Sequence, residues 1–490
     1  MLKLTPKTNE VVDKIIEDKE ILKELADGFG SPLNIMLPEN FSKNIQAFRD
    51  VFDEHGIEGK IFFAHKANKS ESLIAQGRKE DIGIDVASEN ELKNALSKGF
   101  KGEEILATGP KNGEFIRLAV HHGCLLHIDS FEELKKVEEY GQQFDTETDV
   151  LIRLNNFVPR DRKAIQKHSR FGIPVEKKEE IVQKLDEYNS VNFQGFAFHL
   201  DTANMRKKAI ALQNIFDLVK EFHSAGYQTQ ILDIGGGMKV NYLESGEEWS
   251  EYLEAIQESV AGKREGITWN SHSFGLRSEN QSVKGSVDLY SYYNETAKDD
   301  YLCKLLSREI PGYERTFRDL LRDYMIELYI EPGRALLDLA GITVGKVNFV
   351  KEDASGEKLV KLDMNKSNIN PQNWELMVDP YIIHRDKDRE NLEDGVFFVG
   401  NLCLESDFIY KHKTFLDKKP EEGDLVVFVN TAAYHMDFGE SRTIQHDPAE
   451  KIAVYGDNNW KKDSLYTGEE TQVSGRKAVR AREPQEGASK

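Results

Sequence analysis

The stretch Gln230-Ile231-Leu232-Asp233-Ile234 runs directly into Gly235-Gly236-Gly237. Consecutive glycines let the backbone approach an anion closely with its N–H groups converging. On its own a triple glycine reads equally well as a flexible turn, so its place in the chain decides. Between residues 35 and 335 short apolar runs alternate with amphipathic stretches, the pattern of parallel strands joined by helices. The runs are Ile61 to Ala64, Ile82 to Val86, Glu104 to Thr108, Leu125 to Asp129, Val150 to Leu154, Phe193 to His199, Gln230 to Ile234 and Ile326 to Glu331. Eight such units close an α/β (TIM) barrel, and the glycines follow its seventh strand, where barrels commonly bind phosphate.

The intervening helices are legible as well. Phe41, Ile45, Phe48 and Phe52 mark one apolar face, and Ser130 with Glu133 forms a capping box. The crossover from the seventh to the eighth strand is long and holds a polar segment, 262–300, read as an insertion over the barrel mouth that serves as a lid or a dimer element. After Arg334 the pattern changes to β-branched and aromatic runs such as Gly341 to Val350, Gly395 to Val399 and Asp424 to Val429. A C-terminal β domain, sandwich or barrel, is therefore expected over 336–466, with segment 1–34 packing on it and a disordered tail over 467–490.

With 490 residues the chain has room for two cores. Its formal net charge of −20 repels nucleic acid and anionic membrane surfaces, so neither is an expected partner. The three cysteines, Cys124, Cys303 and Cys403, have no short spacing, which argues against a disulfide framework or a zinc ribbon; no metal is expected. A polar start from Met1 to Glu10 and the lack of any long apolar run point to a cytoplasmic protein.

Working groups of a barrel sit at the carboxyl ends of its strands. Lys66 follows the first strand in Phe62-Phe63-Ala64-His65-Lys66, where partial loss of hydration would lower its pKa and permit a Schiff base with an aldehyde. A solvated strand-end lysine is the plain alternative. His199 and Thr202 follow the sixth strand, placed to face an aromatic ring and a phosphate or, equally, to serve as structural hydrogen-bonding groups. The eighth strand ends in Glu331-Pro332-Gly333-Arg334, a carboxylate for a pyridine nitrogen or a turn with an ion pair.

As an ordered set these motifs resemble the pyridoxal-phosphate enzymes that include diaminopimelate, ornithine and arginine decarboxylases and, more distantly, alanine racemase. The resemblance covers about Phe29 to Val454 and includes Gly83-Ile84-Asp85-Val86-Ala87-Ser88. It implies pyridoxal phosphate as cofactor, with Lys66 as the Schiff-base residue and His199 on the ring. Asp85, Arg153, Thr202, Gly235, Gly236, Gly237, Glu331, Gly333 and Arg334 would complete the cofactor site, with Tyr434 of Ala432-Ala433-Tyr434 reaching the phosphate. It further implies that Cys403 in Cys403-Leu404-Glu405-Ser406-Asp407 protonates the substrate carbon, that Glu405, Asp407 and Tyr381 meet the substrate, and that two copies form a head-to-tail homodimer with shared sites.

Two departures stand out. The acid that such enzymes carry directly after the cysteine is replaced by Leu404, and the residues from Asp363 to Tyr381 contain no arginine to clamp a distal carboxylate. The expected activity is decarboxylation of an amino acid, diaminopimelate-, ornithine- or lysine-like or a specialised conjugate. The alternatives are an amino-acid racemase, against which Glu331 speaks, and a catalytically silent regulator. His384-Arg385-Asp386 and Asp437-Phe438-Gly439 imitate a kinase signature, but some fifty residues separate them and no glycine-rich loop precedes them; both are expected in surface turns.

Overall fold

The computed structural model describes residues 2–159, 169–200, 202–280, 282–370, 375–386, 388–392, 394–439, 442–456 and 459–463. The expected tail, 467–490, lies outside them.

The chain opens with two short helices, Glu10–Glu17 and Lys19–Phe29, started by side-chain caps: Asn9 accepts from the Val12 N–H and Asp18 from the Ile21 N–H. Strand β1 (Leu33–Met36) follows. Then come β2 (Gly59–Ala64), β3 (Gly83–Val86), β4 (Ile105–Ala107), β5 (Leu125–Ile128), β6 (Thr148–Asn155), the two-residue β7 (Ile173–Pro174), β8 (Val191–Ala197) and β9 (Ile231–Asp233). A small hairpin, β10 (Arg277–Glu279) with β11 (Ser282–Lys284), precedes β12 (Glu327–Ile330).

All of β2 to β12 except β7 and the hairpin join one parallel ring. It closes because β12 pairs on one side with β2 (Leu328 opposite Gly59) and on the other with β9, while β5 pairs with β6. The eight strands are those expected from the apolar runs, with ends shifted by no more than two residues. Helices such as Pro38–His55, Phe131–Phe144 and Met205–Ser224 cover the outside. Phe41, Ile45, Phe48 and Phe52 are all buried in the core between helix and ring, as their spacing requires.

The lumen is a packed core. Phe62, Leu106, Leu125, Leu151, Ala197, Ile231 and Tyr329, one from each of seven strands, form a single buried cluster inside the ring. At β3 the place is held by Gly83, where an added Cβ would lie 2.4 Å from the Phe62 ring.

The second domain is an eight-stranded sheet built on β13 (Gly341–Glu352), with β14 (Lys358–Leu362), β15 (Tyr381–Ile383), β16 (Val396–Val399), β17 (Leu425–Phe428), β18 (Glu450–Tyr455) and β19 (Asn459–Lys462). Its eighth strand is β1, which lies antiparallel to β13 and parallel to β18. Strand β17 shows why these runs are apolar throughout: Leu425 and Val427 face the N-terminal helices, whereas Val426 and Phe428 face the barrel side.

Segment 262–300 fastens the two domains together. Thr268 bridges to His412, the Trp269 N–H donates to the Lys411 carbonyl at 2.8 Å, and the Trp269 ring lies 4.6 Å from Phe408 and 5.2 Å from Phe397. Within the chain it acts as a strap. No helix among the described residues is long and apolar enough to cross a membrane.

Candidate functional site

Period-two alternation of the strands lifts a polar layer directly above the apolar one. Two residues beyond Leu106 stands Thr108; beyond Leu125, His127; beyond Leu151, Arg153; beyond Ala197, His199; beyond Ile231, Asp233; beyond Tyr329, Glu331. On β3, Asp85 occupies the same level two residues after Gly83. Seven polar side chains thus converge on the carboxyl end of the barrel, the face where such folds carry their chemistry.

Lys66 stands over this layer on a 3₁₀ turn, His65–Ala67, immediately after β2. Ala64 is paired in register with Asp85, which brings the Lys66 Nζ to 3.5 Å from Asp85 Oδ2. Thr108 donates its hydroxyl to the other oxygen of that carboxylate. The turn is pinned from the β domain: the Tyr434 N–H donates to the Ala67 carbonyl at 2.8 Å, and the Asn68 amide donates to the Ala432 carbonyl at 2.8 Å.

The sequence-based expectation of a lowered Lys66 pKa is corrected here. Asp85, and after it Glu331 and Tyr434, raise it above the ordinary lysine value, outweighing the loss of hydration. The side chain also keeps 42% exposure, so it is not sealed in an apolar pocket.

Opposite Lys66 lies a buried group absent from the sequence-based site. His127 stands between two carboxylates, with Nε2 3.4 Å from Asp233 Oδ2 and Nδ1 3.5 Å from Glu331 Oε1. Burial holds the imidazole down at about 4, so it is neutral near pH 7. Burial pushes Asp233 up to about 7 and also raises Glu331, which Asp233 and Asp85 raise further. A neutral imidazole donates from one nitrogen and accepts at the other, so it can share protons between the two acids. The ligand atoms of the three residues lie within 4.8 Å of one another, a spacing that would also suit a cation. Asp233 Oδ2 and His127 Nε2 make no hydrogen bond within the described residues.

The glycine turn connects these acids to the mouth. Gly235 and Gly237 have φ of +65° and +79°, a region that favours glycine. A Cβ on Gly236 would meet the Glu331 carbonyl oxygen at 2.5 Å. Its N–H groups do not all converge on open space: that of Gly235 donates to Asp233 Oδ1 at 2.7 Å and that of Gly236 to His199 Nδ1 at 3.3 Å. His199 Nδ1 is therefore an acceptor, and the neutral ring carries its proton on Nε2. Loss of hydration, then the charges of Lys208, Lys66 and Arg153, hold that imidazole well below its ordinary range. The residue nonetheless stays exposed.

Arg334 lies in a cage of tyrosines. Its guanidinium carbon is 4.6 Å from the Tyr290 ring centre and 5.1 Å from that of Tyr434, and it donates to the Tyr242 hydroxyl. Tyr290 comes from the strap, so the insertion reaches the site through this arginine. At Gly333 a Cβ would be 3.0 Å from both Ala67 Cβ and the Tyr434 hydroxyl, which leaves room there for a glycine alone. Arg153 meets Asp129 at 3.3 Å and lies over the Phe171 ring at 4.8 Å. The Thr202 hydroxyl accepts from the Asn204 N–H at 3.1 Å and has its own proton to give.

The remaining predicted residues are placed elsewhere in this chain. Cys403 and Glu405 are exposed in a loop of the β domain. Asp407, expected to meet the substrate, is buried and accepts the N–H groups of Lys366 (2.9 Å) and Leu402 (2.7 Å), so it holds that loop in shape. Tyr381 packs in the cluster under the N-terminal helices, with its hydroxyl bonded to Thr8. Of the kinase-like strings, His384 pairs with Asp424 at 2.8 Å, while Asp437, nearly buried, accepts the Lys69 N–H at 2.9 Å and so braces the lysine turn.

Residues 39–269 match the pyridoxal-binding domain of the pyridoxal-dependent decarboxylases. The chain is 29% identical to the uncharacterized protein y4yA of Sinorhizobium fredii, over 89% of this chain and 90% of that one. It is 25% identical to the diaminopimelate decarboxylase of Bacillus subtilis, over 84% of this chain and 83% of the relative. In fold it is similar to the diaminopimelate decarboxylase of M. jannaschii solved with L-lysine, with a TM-score of 0.68, 22% identity, and 90% and 91% of the two chains covered. With its closed parallel barrel, appended β domain and ordered motifs, this chain carries the pyridoxal-binding domain of the pyridoxal-dependent decarboxylases over residues 39–269, and its cofactor is pyridoxal phosphate.

Proposed function

We propose that the chain removes the α-carboxylate of an amino acid at the barrel mouth, with Lys66 as the residue that attaches the cofactor and Cys403 as the proton donor. The observation that carries this reading is the convergence of the Lys66 amine, the buried Glu331 carboxylate and the glycine turn on the carboxyl end of the barrel.

The residues fit the group. Buried Asp233 Oδ2 and His127 Nε2 lie beside Glu331 without hydrogen-bond partners, and Lys66, Glu331, His199, Arg334 and the glycine turn together supply an amine, a carboxylate, an imidazole, a cation and backbone N–H groups at one end of the barrel. Glu331 would hold a proton at the pyridine nitrogen, His199 would cover the ring, and Arg334, Tyr434, Thr202 and the Gly237 N–H would meet the phosphate. When bound, pyridoxal phosphate supplies an electron sink for the pair left by the departing carboxylate.

Each of the chain's own groups then has a task. Asp85 orients the Lys66 amine and takes up its charge. The neutral His199 ring adds no cation beside the phosphate side. His127 is placed to keep Glu331 and Asp233 from repelling one another by sharing protons with them. The Cys403 thiol delivers a proton to the substrate Cα.

Cys403 is exposed in its own chain. We therefore place it at the site of a second copy in a head-to-tail homodimer in the cytoplasm, with Glu405 toward the substrate. Leu404 and the lack of an arginine between Asp363 and Tyr381 favour a substrate other than diaminopimelate.

The test is a screen for carbon dioxide release over L- and D-basic amino acids, diaminopimelate, and acidic or conjugated amino acids. Release from at least one is expected. Exchange of the Cα proton without release would instead indicate a racemase, and inertness of the cofactor-loaded protein toward all of them would favour a silent regulator.

A further inference from the structure

Among the described residues, Lys208 is the one wholly buried lysine beneath the glycine turn that the proposed chemistry leaves without a task. It lies in the first turn of the helix Met205–Ser224, its surface is 0% exposed, and its ammonium donates to the Ile234 carbonyl at 3.0 Å and the Gly236 carbonyl at 3.2 Å. Burying an ammonium costs several kcal/mol unless it is well paired. A cation in the first turn also opposes the helix dipole. The stem of such a residue could be replaced by Met at similar volume, so packing against Phe198 does not account for the charge.

The partners of the turn's peptide groups show what the charge does. The Ile234 carbonyl points to Lys208, and the N–H of that same peptide, on Gly235, goes to Asp233. The Gly235 carbonyl accepts the Glu331 N–H at 3.2 Å, and the N–H of that peptide, on Gly236, goes to His199. The Gly236 carbonyl points to Lys208, and the N–H of that peptide, on Gly237, has no partner among the described residues. A trans peptide directs its C=O and N–H in opposite senses. Whatever holds the Gly236 carbonyl therefore sets the direction of the one N–H the turn has left.

We propose that Lys208 is a positioning residue for phosphate recognition: by holding the Ile234 and Gly236 carbonyls on the helix side, it turns the Gly237 N–H toward the cofactor phosphate. Its buried charge, two hydrogen bonds away from that anion, works in the same direction. The proposal rests on the reading that the glycine turn receives the phosphate.

The test compares the affinities of the cofactor-free full-length protein for pyridoxal phosphate and for pyridoxal, followed by absorbance titration, in wild type, Lys208→Met and Lys208→Gln. Met removes both hydrogen bonds at similar volume; Gln is one atom shorter, is neutral and cannot reach both carbonyls. The expected result is at least a tenfold loss of pyridoxal phosphate affinity in the Met variant and a smaller loss in the Gln variant, with pyridoxal affinity unchanged in both. The Gln variant gives the same reading on its own if the Met variant does not fold. Equal losses for the two forms, or no loss in either variant, would overturn the role of Lys208. If wild type itself showed no preference for the phosphorylated form, the phosphate reading of the glycine turn would fail first.

Discussion

The Lys66 ammonium stands 3.5 Å from a carboxylate of Asp85 that is 1% exposed, and this neighbour sets the charge of the amine on which the proposed site depends. The pairing follows from register, since Ala64 lies opposite Asp85 in the ring. In Asp85→Asn the largest contribution raising the Lys66 pKa is gone. The pH at which the protein takes up pyridoxal phosphate to half completion should then move lower by about one unit or more. A pH series of absorbance titrations checks this; an unmoved midpoint would mean that Asp85 does not govern the amine.

Asp233 makes a separate and signed prediction about stability. Its folded pKa, about 7, lies above the ordinary 3.8, so the native state holds a proton that the unfolded chain releases. Stability from this group is full below about pH 4 and is lost as pH rises toward 7. His127, held down at about 4, acts in the opposite sense, so the comparison with a variant is what isolates Asp233. Asp233→Asn should gain on the cofactor-free wild type by up to about 1.4 kcal/mol per pH unit across that window. Denaturant melts at pH 4, 5.5 and 7 measure the gain, and a constant difference would contradict the assignment.

Gly236→Ala drives a methyl group to within 2.5 Å of the Glu331 carbonyl oxygen, a backbone atom that cannot swing aside. Cofactor affinity should fall at least tenfold, about 1.4 kcal/mol. Gly28→Ala, in the helix Lys19–Phe29 with nothing within 4 Å of the added Cβ, is the control and should stabilise by about 0.5–1 kcal/mol. Equilibrium titration of the first and a thermal melt of the second distinguish a displaced glycine turn from general intolerance of side chains at glycine positions.

Lys66→Ala and Cys403→Ala should each be inactive alone. If Cys403 serves the site of a second copy, random mixing of the two variants restores one intact site in half of the dimers, about a quarter of wild-type carbon dioxide release. An assay after mild dissociation and reassociation reads this directly. Complete absence of rescue in mixed dimers would place both residues in a site formed within one chain.

Much of the ring was legible because its strands are short apolar runs that alternate with amphipathic helical stretches. The polar layer was only half legible. His127 sits within Leu125-Leu126-His127-Ile128 and reads as strand, since its task appears only when closure of the barrel brings β5 to face β9 and β12. Lys208 ends the run Arg206-Lys207-Lys208, which reads as a solvated helix start; its burial depends on how the helix docks against the glycine turn. The direction of the Lys66 pKa failed for a related reason. Hydration can be guessed from a local run, whereas a facing carboxylate nineteen positions away is fixed by strand register. Asp407 shows the converse: its place in a motif suggested substrate, but two backbone N–H groups already claim it.

Which amine attaches the cofactor tests the account most directly. Lys208 has the lower pKa, about 8, but is sealed beneath the turn, whereas Lys66 is held protonated by Asp85 yet keeps 42% of its side chain exposed. Borohydride reduction of the loaded protein, followed by peptide mass spectrometry, will locate the bound pyridoxyl group. The account predicts it on Lys66 alone, with none in Lys66→Ala; a label on Lys208 or on any other lysine would contradict it.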